Sequence, residues 1–184
     1  GSVTVKLSAL AGLASVAFVL ILILRVDTEK PSDAGDVQLV TTEITALKIR
    51  RYNEIGALLE ESQTDHLIQY DRDKKTFLTG VNVIQSSVDD DTWTLTAPDG
   101  IGSETDGYLE LSGGVNIVNG KSVAIATDTM LITSDDRIAK SKGEVVLTTQ
   151  NSETKADGLT IDLGMNTAIL TGNVNTEYRS DRAP

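Results

Sequence analysis

Apolar and polar residues alternate along most of the chain after residue 40. The alternation is clearest in three runs: Phe77-x-Thr79-x-Val81-x-Val83, Trp93-x-Leu95-x-Ala97 and Leu109-x-Leu111. A period of two residues places one set of side chains on a buried face of a β-sheet and the other set in solvent. Thr and Val, which favour strands, are abundant. The pattern therefore predicts a mainly β domain over residues 41–178.

The alternating segments also repeat. Aspartates recur every 29 residues and glycines every 29 or 30 residues, at Asp99, Asp128 and Asp157 and at Gly113, Gly143 and Gly172. Such a period is typical of stacked units that cannot bury an apolar face alone. Turn residues near the centre of each unit indicate hairpins: Asp71-Arg72-Asp73, Asp106-Gly107, Ser134-Asp135-Asp136 and Gly164-Met165-Asn166. We expect an elongated stack of antiparallel hairpin units of about 30 residues, with two inner faces and two open ends.

A different pattern precedes this domain. Residues 7–24 form an uncharged apolar run between Lys6 and Arg25. Its length matches the thickness of a bilayer and exceeds the apolar region of a cleaved signal peptide, so we predict a single uncleaved transmembrane helix within residues 1–25. Residues 26–40 are mostly polar, and this composition predicts a linker. Residues 179–184 predict a flexible tail.

The composition and charge of the chain argue against several classes of function. The chain has 184 residues, no cysteine, one histidine and a formal charge of −11. Because Lys6 and Arg25 are the only charged residues among the first 25, the remainder carries −13. Such an acidic domain argues against binding nucleic acid, whose phosphates require basic residues. The absence of cysteine and the single histidine leave little material for a metal site or a nucleophilic triad.

Segments along nearly the whole chain resemble the LptC family of lipopolysaccharide export proteins. The segments that carry this resemblance follow the apolar run in order: Gly56-Ala57-Leu58, Phe77-Leu78-Thr79, Thr92-Trp93, Ala97-Pro98-Asp99, Tyr108 to Gly113, Ile125 to Asp128 and Ala156 to Leu159. The resemblance implies a bitopic inner-membrane protein with a twisted periplasmic β-jellyroll. At the carboxyl-terminal end, Thr171-Gly172-Asn173-Val174 departs from the more charged stretch of the family.

The resemblance also implies function and partners. Such a protein accepts lipopolysaccharide from an inner-membrane ABC transporter, LptF/LptG with its ATPase LptB. It passes the lipid to LptA, the next jellyroll of a bridge across the periplasm. It is not an enzyme and needs no cofactor. Unpaired strands at the two ends of the fold pair with neighbouring jellyrolls.

Inward-facing side chains could line an apolar groove for acyl chains or fill an ordinary sandwich core. The candidates for this role are Leu47, Phe77, Val81, Leu95, Leu111, Ile132, Leu159, Ile161, Ala168, Leu170 and Tyr178. The candidates for contact with partner strands are Leu47, Ile49, Gly143, Val174 and Thr176. At Gly143 we expect a tight passage of the backbone near the mouth of the fold.

Several residues admit a second interpretation. The repeated aspartates could form the carboxylate pair of a glycoside hydrolase, but their regular spacing favours a structural role at turns. Asp89-Asp90-Asp91 lacks the ligand spacing of a known calcium loop, so a solvated turn is preferred and no metal site is predicted. Two other functions remain open: a membrane-tethered scaffold that binds only proteins, and a cell-surface β-solenoid that acts on polysaccharide.

Overall fold

The computed structural model describes residues 2–6, 40–70, 72, 74–86, 92–120, 122–162, 165 and 167–180. These residues form β-strands and turns. The strands are β1 (Ser2–Lys6), β2 (Val40–Tyr52), β3 (Leu58–Tyr70), β4 (Lys75–Ser86), β5 (Thr92–Ser103), β6 (Tyr108–Ser112), β7 (Val115–Asn119), β8 (Val123–Thr127), β9 (Met130–Thr133), β10 (Ile138–Ser141), β11 (Val145–Thr149), β12 (Ser152–Ala156), β13 (Gly158–Asp162), β14 (Thr167–Thr171) and β15 (Asn175–Tyr178). The predicted transmembrane helix, nearly all of the linker, the Asp89-Asp90-Asp91 run and residues 181–184 lie outside the described residues.

All strand pairs are antiparallel, and the sheet folds over into two layers. The long strands β2 to β5 run through both layers: residues 99–103 of β5 pair with β6, whereas residues 93–96 pair with β7. Layer A continues from β6 through β9, β10, β13 and β14 to β1, and layer B continues from β7 through β8, β11 and β12 to β15. One cluster of buried side chains from both layers forms the core. This architecture confirms the predicted mainly β, antiparallel class and is consistent with a β-jellyroll.

The layers join at corners where the alternation of buried and exposed residues is interrupted. Leu78 and Val81 of β4 are both buried although they are three residues apart, with Gly80 between them. Gly80 has φ 67°, in the left-handed region. A Cβ atom at this position would also collide with the carboxylate of Asp65, so the backbone conformation and the close side chain both favour glycine here.

A repeated aspartate builds a second corner in the same way. A Cβ atom at Gly172 would lie 2.6 Å from Oδ2 of Asp157. The backbone amide of Asp157 donates to the carbonyl of Gly172 at 2.9 Å, and Nδ2 of Asn173 donates to Oδ2 of Asp157 at 2.8 Å. These contacts support the structural interpretation of Asp157.

The period of about 30 residues corresponds to a different structural unit from the predicted hairpin. Turns connect strands at the far end of layer A, at residues 104–107 and 134–137, as the turn residues indicate. Further turns connect β7 to β8 and β11 to β12 in layer B, at Gly120 and Ser122 and at residues 150–151. One period is therefore a full circuit of four short strands through both layers. The Asn119-Gly120 pair was a usable signal for the second set of turns.

The first strand lies where the sequence predicts only a flank of a helix. Residues 2–6 form β1 and pair with β14, from Ser2 opposite Thr171 to Lys6 opposite Thr167. β1 therefore covers the edge of β14 in layer A.

Candidate functional site

Apolar side chains run across the strands on the inner face of each layer. In layer B, register places Leu95, Ile117, Ile125 and Leu147 in one continuous lane. In layer A, a corresponding lane contains Leu109, Ile132, Ala139, Ile161 and Ala168. Because the strands stack along the length of the fold, both lanes run lengthwise through the interior.

Most of the predicted groove residues lie on these inner faces. Eight of them are no more than 4% exposed: Val81, Leu95, Leu111, Ile132, Leu159, Ile161, Ala168 and Leu170. Leu47 is partly buried and packs against the same cluster. The side chains contact one another across the interior as a packed core. A ligand could reach these positions only if it replaced contacts between the two layers.

The prediction that Phe77 faces the interior is wrong. Its neighbours Thr76 and Leu78 are 1% and 3% exposed, whereas Phe77 is 39% exposed on the outer face. There its ring packs edge-to-face against Tyr70, with the centroids 5.6 Å apart. The sequence pattern extended the phase of Val81 and Val83 back to Phe77, but the corner at Gly80 reverses that phase.

Tyr178 lies at an open end of the interior. Register places it opposite Ser152 on β12, two positions from the pair Thr154 and Thr176, whose hydroxyl oxygens are 2.8 Å apart. Because β15 is the last described strand of layer B, Tyr178 remains 82% exposed. It is at the mouth of the interior, not within its lining.

A row of hydrogen-bonding side chains borders the apolar lane of layer B on the side of the turns. We call it the rim row, and register aligns its members: Arg51, Glu60, Gln85, Trp93 and Asn119. Glu60 is 1% exposed; its Oε2 lies 3.4 Å from Nη2 of Arg51, and its Oε1 accepts a hydrogen bond from Oγ of Ser62 at 3.3 Å.

Sequence reasoning missed the rim row. Residues 60–65 are Glu-Glu-Ser-Gln-Thr-Asp, polar in both phases of the alternation. The sequence therefore contains no signal that Glu60 points inward and Glu61 outward.

Glu61 carries the main ionic contacts between β2 and β3 on the outer face. It accepts a hydrogen bond from Nε of Arg50 at 2.6 Å, and Nζ of Lys48 lies 3.5 Å from its Oε1. The hydrogen bonds from Arg50 and from Gln63 lower the pKa of Glu61 to about 2, so this carboxyl is ionised at any ordinary pH. The contacts hold β2 against β3.

The described fold has an open strand edge at each end. At one end β2 pairs only with β3; at the other end β15 pairs only with β12, and β1 pairs only with β14. Leu47 and Ile49 lie on β2 and Thr176 lies on β15, while Val174 directly precedes β15 and packs against the core. Four of the five predicted interface residues therefore lie at the ends.

Gly143, the fifth predicted interface residue, does not lie at an end of the fold. It lies in the corner between β10 and β11, both of which are paired on two sides. It is exposed, and a Cβ atom there would meet nothing within 4 Å. The expected tight backbone passage near the mouth is therefore wrong.

Two further properties concern only the part of the chain that the structure describes. It contains no group of three His, Cys, Asp or Glu side chains placed to hold a metal ion. It also contains no helix with the length and hydropathy of a membrane span, and the predicted span at residues 7–24 falls outside it.

Comparison with protein families identifies the chain. The family model described as lipopolysaccharide-assembly, LptC-related matches residues 9–179. The chain belongs to the LptC-related family. Membership in this family gives the chain a role in lipopolysaccharide transport, as a component of the cell envelope and not as an enzyme. No curated protein matches the chain significantly.

Proposed function

We propose that this LptC-related protein is a lipopolysaccharide carrier anchored in the inner membrane by one helix, with its β-jellyroll in the periplasm. It accepts the lipid from LptF/LptG, driven by the ATPase LptB, and passes it to LptA. One observation carries the proposal: both layers direct aliphatic side chains into a single interior that has open strand edges at both ends.

The chemistry of lipopolysaccharide favours its acyl chains in the apolar interior and its anionic sugar outside the domain. Each methylene moved from water into an apolar interior contributes about 0.8 kcal/mol, so a few acyl chains can offset the repulsion of phosphates by an acidic domain. Because the interior side chains are packed in this structure, loading separates the layers. The lipid then replaces contacts such as those of Leu95 and Ile117, and the core reforms when the lipid leaves.

The strand edges support docking at both ends. An open edge offers unpaired backbone amides and carbonyls that a second jellyroll can pair with. β2 is the edge for the transporter, because the chain enters the domain there from the anchor. β15, at the opposite end, is the edge for LptA.

Photocrosslinking at matched positions tests the carrier. A crosslinking residue at Leu78 or Ala168, on the inner face, should form adducts with lipopolysaccharide in cells. The same residue at Phe77 or Ile169, one position away on the outer face, should form few or none. Immunoblotting for the lipid measures both, and each pair is its own control for expression and labelling.

The second candidate function is a scaffold that binds only proteins, and a failure to crosslink at the inner positions would favour it. The packed interior is also what a scaffold that binds only proteins would have. Adducts only at Phe77 and Ile169, or at none of the four positions, would reject the carrier and support the scaffold.

Truncation tests the docking edge. Ending the chain after Val174 removes β15 but retains β14 and its core residues Ala168 and Leu170. We expect co-purification with LptA to fall at least about tenfold, because the backbone pairing is lost, while membrane association persists. Ending the chain after Arg179 is the control and should leave co-purification unchanged. Undiminished binding after the first truncation would exclude β15 as the docking edge.

A further inference from the structure

The rim row contains buried donors that the fold itself does not use. Trp93 is 5% exposed, and its Nε1 has no hydrogen-bond partner among the described residues. Nε of Arg51 is likewise buried without a partner in the described part of the chain. Burying an N–H group without an acceptor destabilises a fold, so most buried donors in proteins are paired.

The rim row lies directly beside the apolar lane of layer B. Trp93 is two residues from Leu95 on β5 and shares its face, and Asn119 is two residues from Ile117 on β7. A molecule whose tails occupied the lane would therefore place the groups at the head of those tails against the rim row.

We propose that the rim row binds the hydrogen-bond acceptors that join acyl chains to sugar in an acylated glycolipid: ester and amide carbonyls, and hydroxyls on the chains. This inference rests on the carrier function proposed above and assigns the residues that contact the lipid at the boundary between its tails and its head.

The charges favour a neutral acceptor over a phosphate. Glu60 lies 3.4 Å from Nη2 of Arg51, so the carboxylate balances the guanidinium, and its own charge repels an anion. The remaining members of the row, Gln85, Trp93 and Asn119, are uncharged. The row therefore provides hydrogen bonds without net positive charge, which suits carbonyl and hydroxyl oxygens.

Two conservative variants of the full-length protein test the site. Trp93→Phe keeps an aromatic ring and removes Nε1. Arg51→Lys removes Nε and keeps a cation facing Glu60. Arg50→Lys is the matched control, since Arg50 is the neighbouring residue on the outer face and contacts Glu61.

Binding is measured with two probes. Lipid A carries ester, amide and hydroxyl groups, whereas diphenylhexatriene is a hydrocarbon without acceptor oxygens. We expect Trp93→Phe and Arg51→Lys each to weaken binding of lipid A about three- to tenfold, the effect of one lost hydrogen bond. Binding of diphenylhexatriene should change less than twofold, and Arg50→Lys should change neither. Trp93 is the only tryptophan, so lipid A should also shift its fluorescence emission in the wild type.

Two kinds of outcome would contradict the proposal, and they separate the site from the carrier function. Unchanged lipid A affinity in both variants, or an equal loss for both probes, would overturn the site and leave the carrier intact. A wild-type protein that binds diphenylhexatriene but not lipid A, or binds neither, would overturn the carrier function and this inference with it.

Discussion

Replacing Ile117 with alanine is expected to lower the free energy of unfolding by about 2–5 kcal/mol. Ile117 is 1% exposed and lies in the apolar lane of layer B, opposite Leu95 on one side and Ile125 on the other. The shorter side chain leaves a cavity that the surrounding strands can fill only partly. Urea denaturation measures the change as a lower midpoint at an unchanged slope.

The next residue along β7 provides the control. Val118 is 36% exposed on the outer face, so Val118→Ala should change the free energy of unfolding by no more than about 0.5 kcal/mol. Equal losses for the two variants would mean that the interior between the layers is not packed as described.

Replacing Gly172 with alanine is expected to destabilise the fold by at least about 1–3 kcal/mol. Its φ of 71° is one that residues with a Cβ adopt only at a cost, and the new Cβ would collide with Asp157, whose Oδ2 lies 2.6 Å from that position. The same denaturation experiment measures the loss. Because the corner leads from β14 into β15, hydrogen exchange should also increase at Asn175–Tyr178.

Gly143→Ala is the control for Gly172→Ala, at a repeated glycine where the local geometry tolerates a Cβ atom. Gly143 also follows the 29- to 30-residue repeat, but its φ is not positive and an added Cβ meets nothing within 4 Å. We expect a change within about 0.5 kcal/mol. A large loss there would show that position in the repeat, and not local geometry, makes these glycines necessary.

Sequence alone predicted the fold where a single period extends over several residues. The alternation in β5, from Trp93 to Ala97, identified the inner face correctly, and so did Leu159 and Ile161 in β13. The regular spacing of Asp157 and its equivalents indicated a structural role, which the contacts of Asp157 with Gly172 and Asn173 support, but not the circuit of four strands.

The errors have separate physical causes. Which of two alternating sets points inward depends on the backbone at each corner, and one left-handed glycine reverses the set. Gly80 did this for Phe77 and Leu78. At β3 both sets are polar, so nothing in residues 60–65 marked Glu60 as buried. The flank at residues 2–6 carried no long-range signal for its pairing with β14.

The pairing of β1 with β14 has a topological consequence. A segment at residues 7–24 that crossed a bilayer once would leave Lys6 in one compartment and Val40 in the other. β14 belongs to the body that Val40 enters, so β1 can occupy the edge of β14 only while both flanks share a compartment. Single-pass insertion and a covered β14 are mutually exclusive, and the inserted chain must present the backbone ladder of β14, in place of that of β1, at the open edge of layer A.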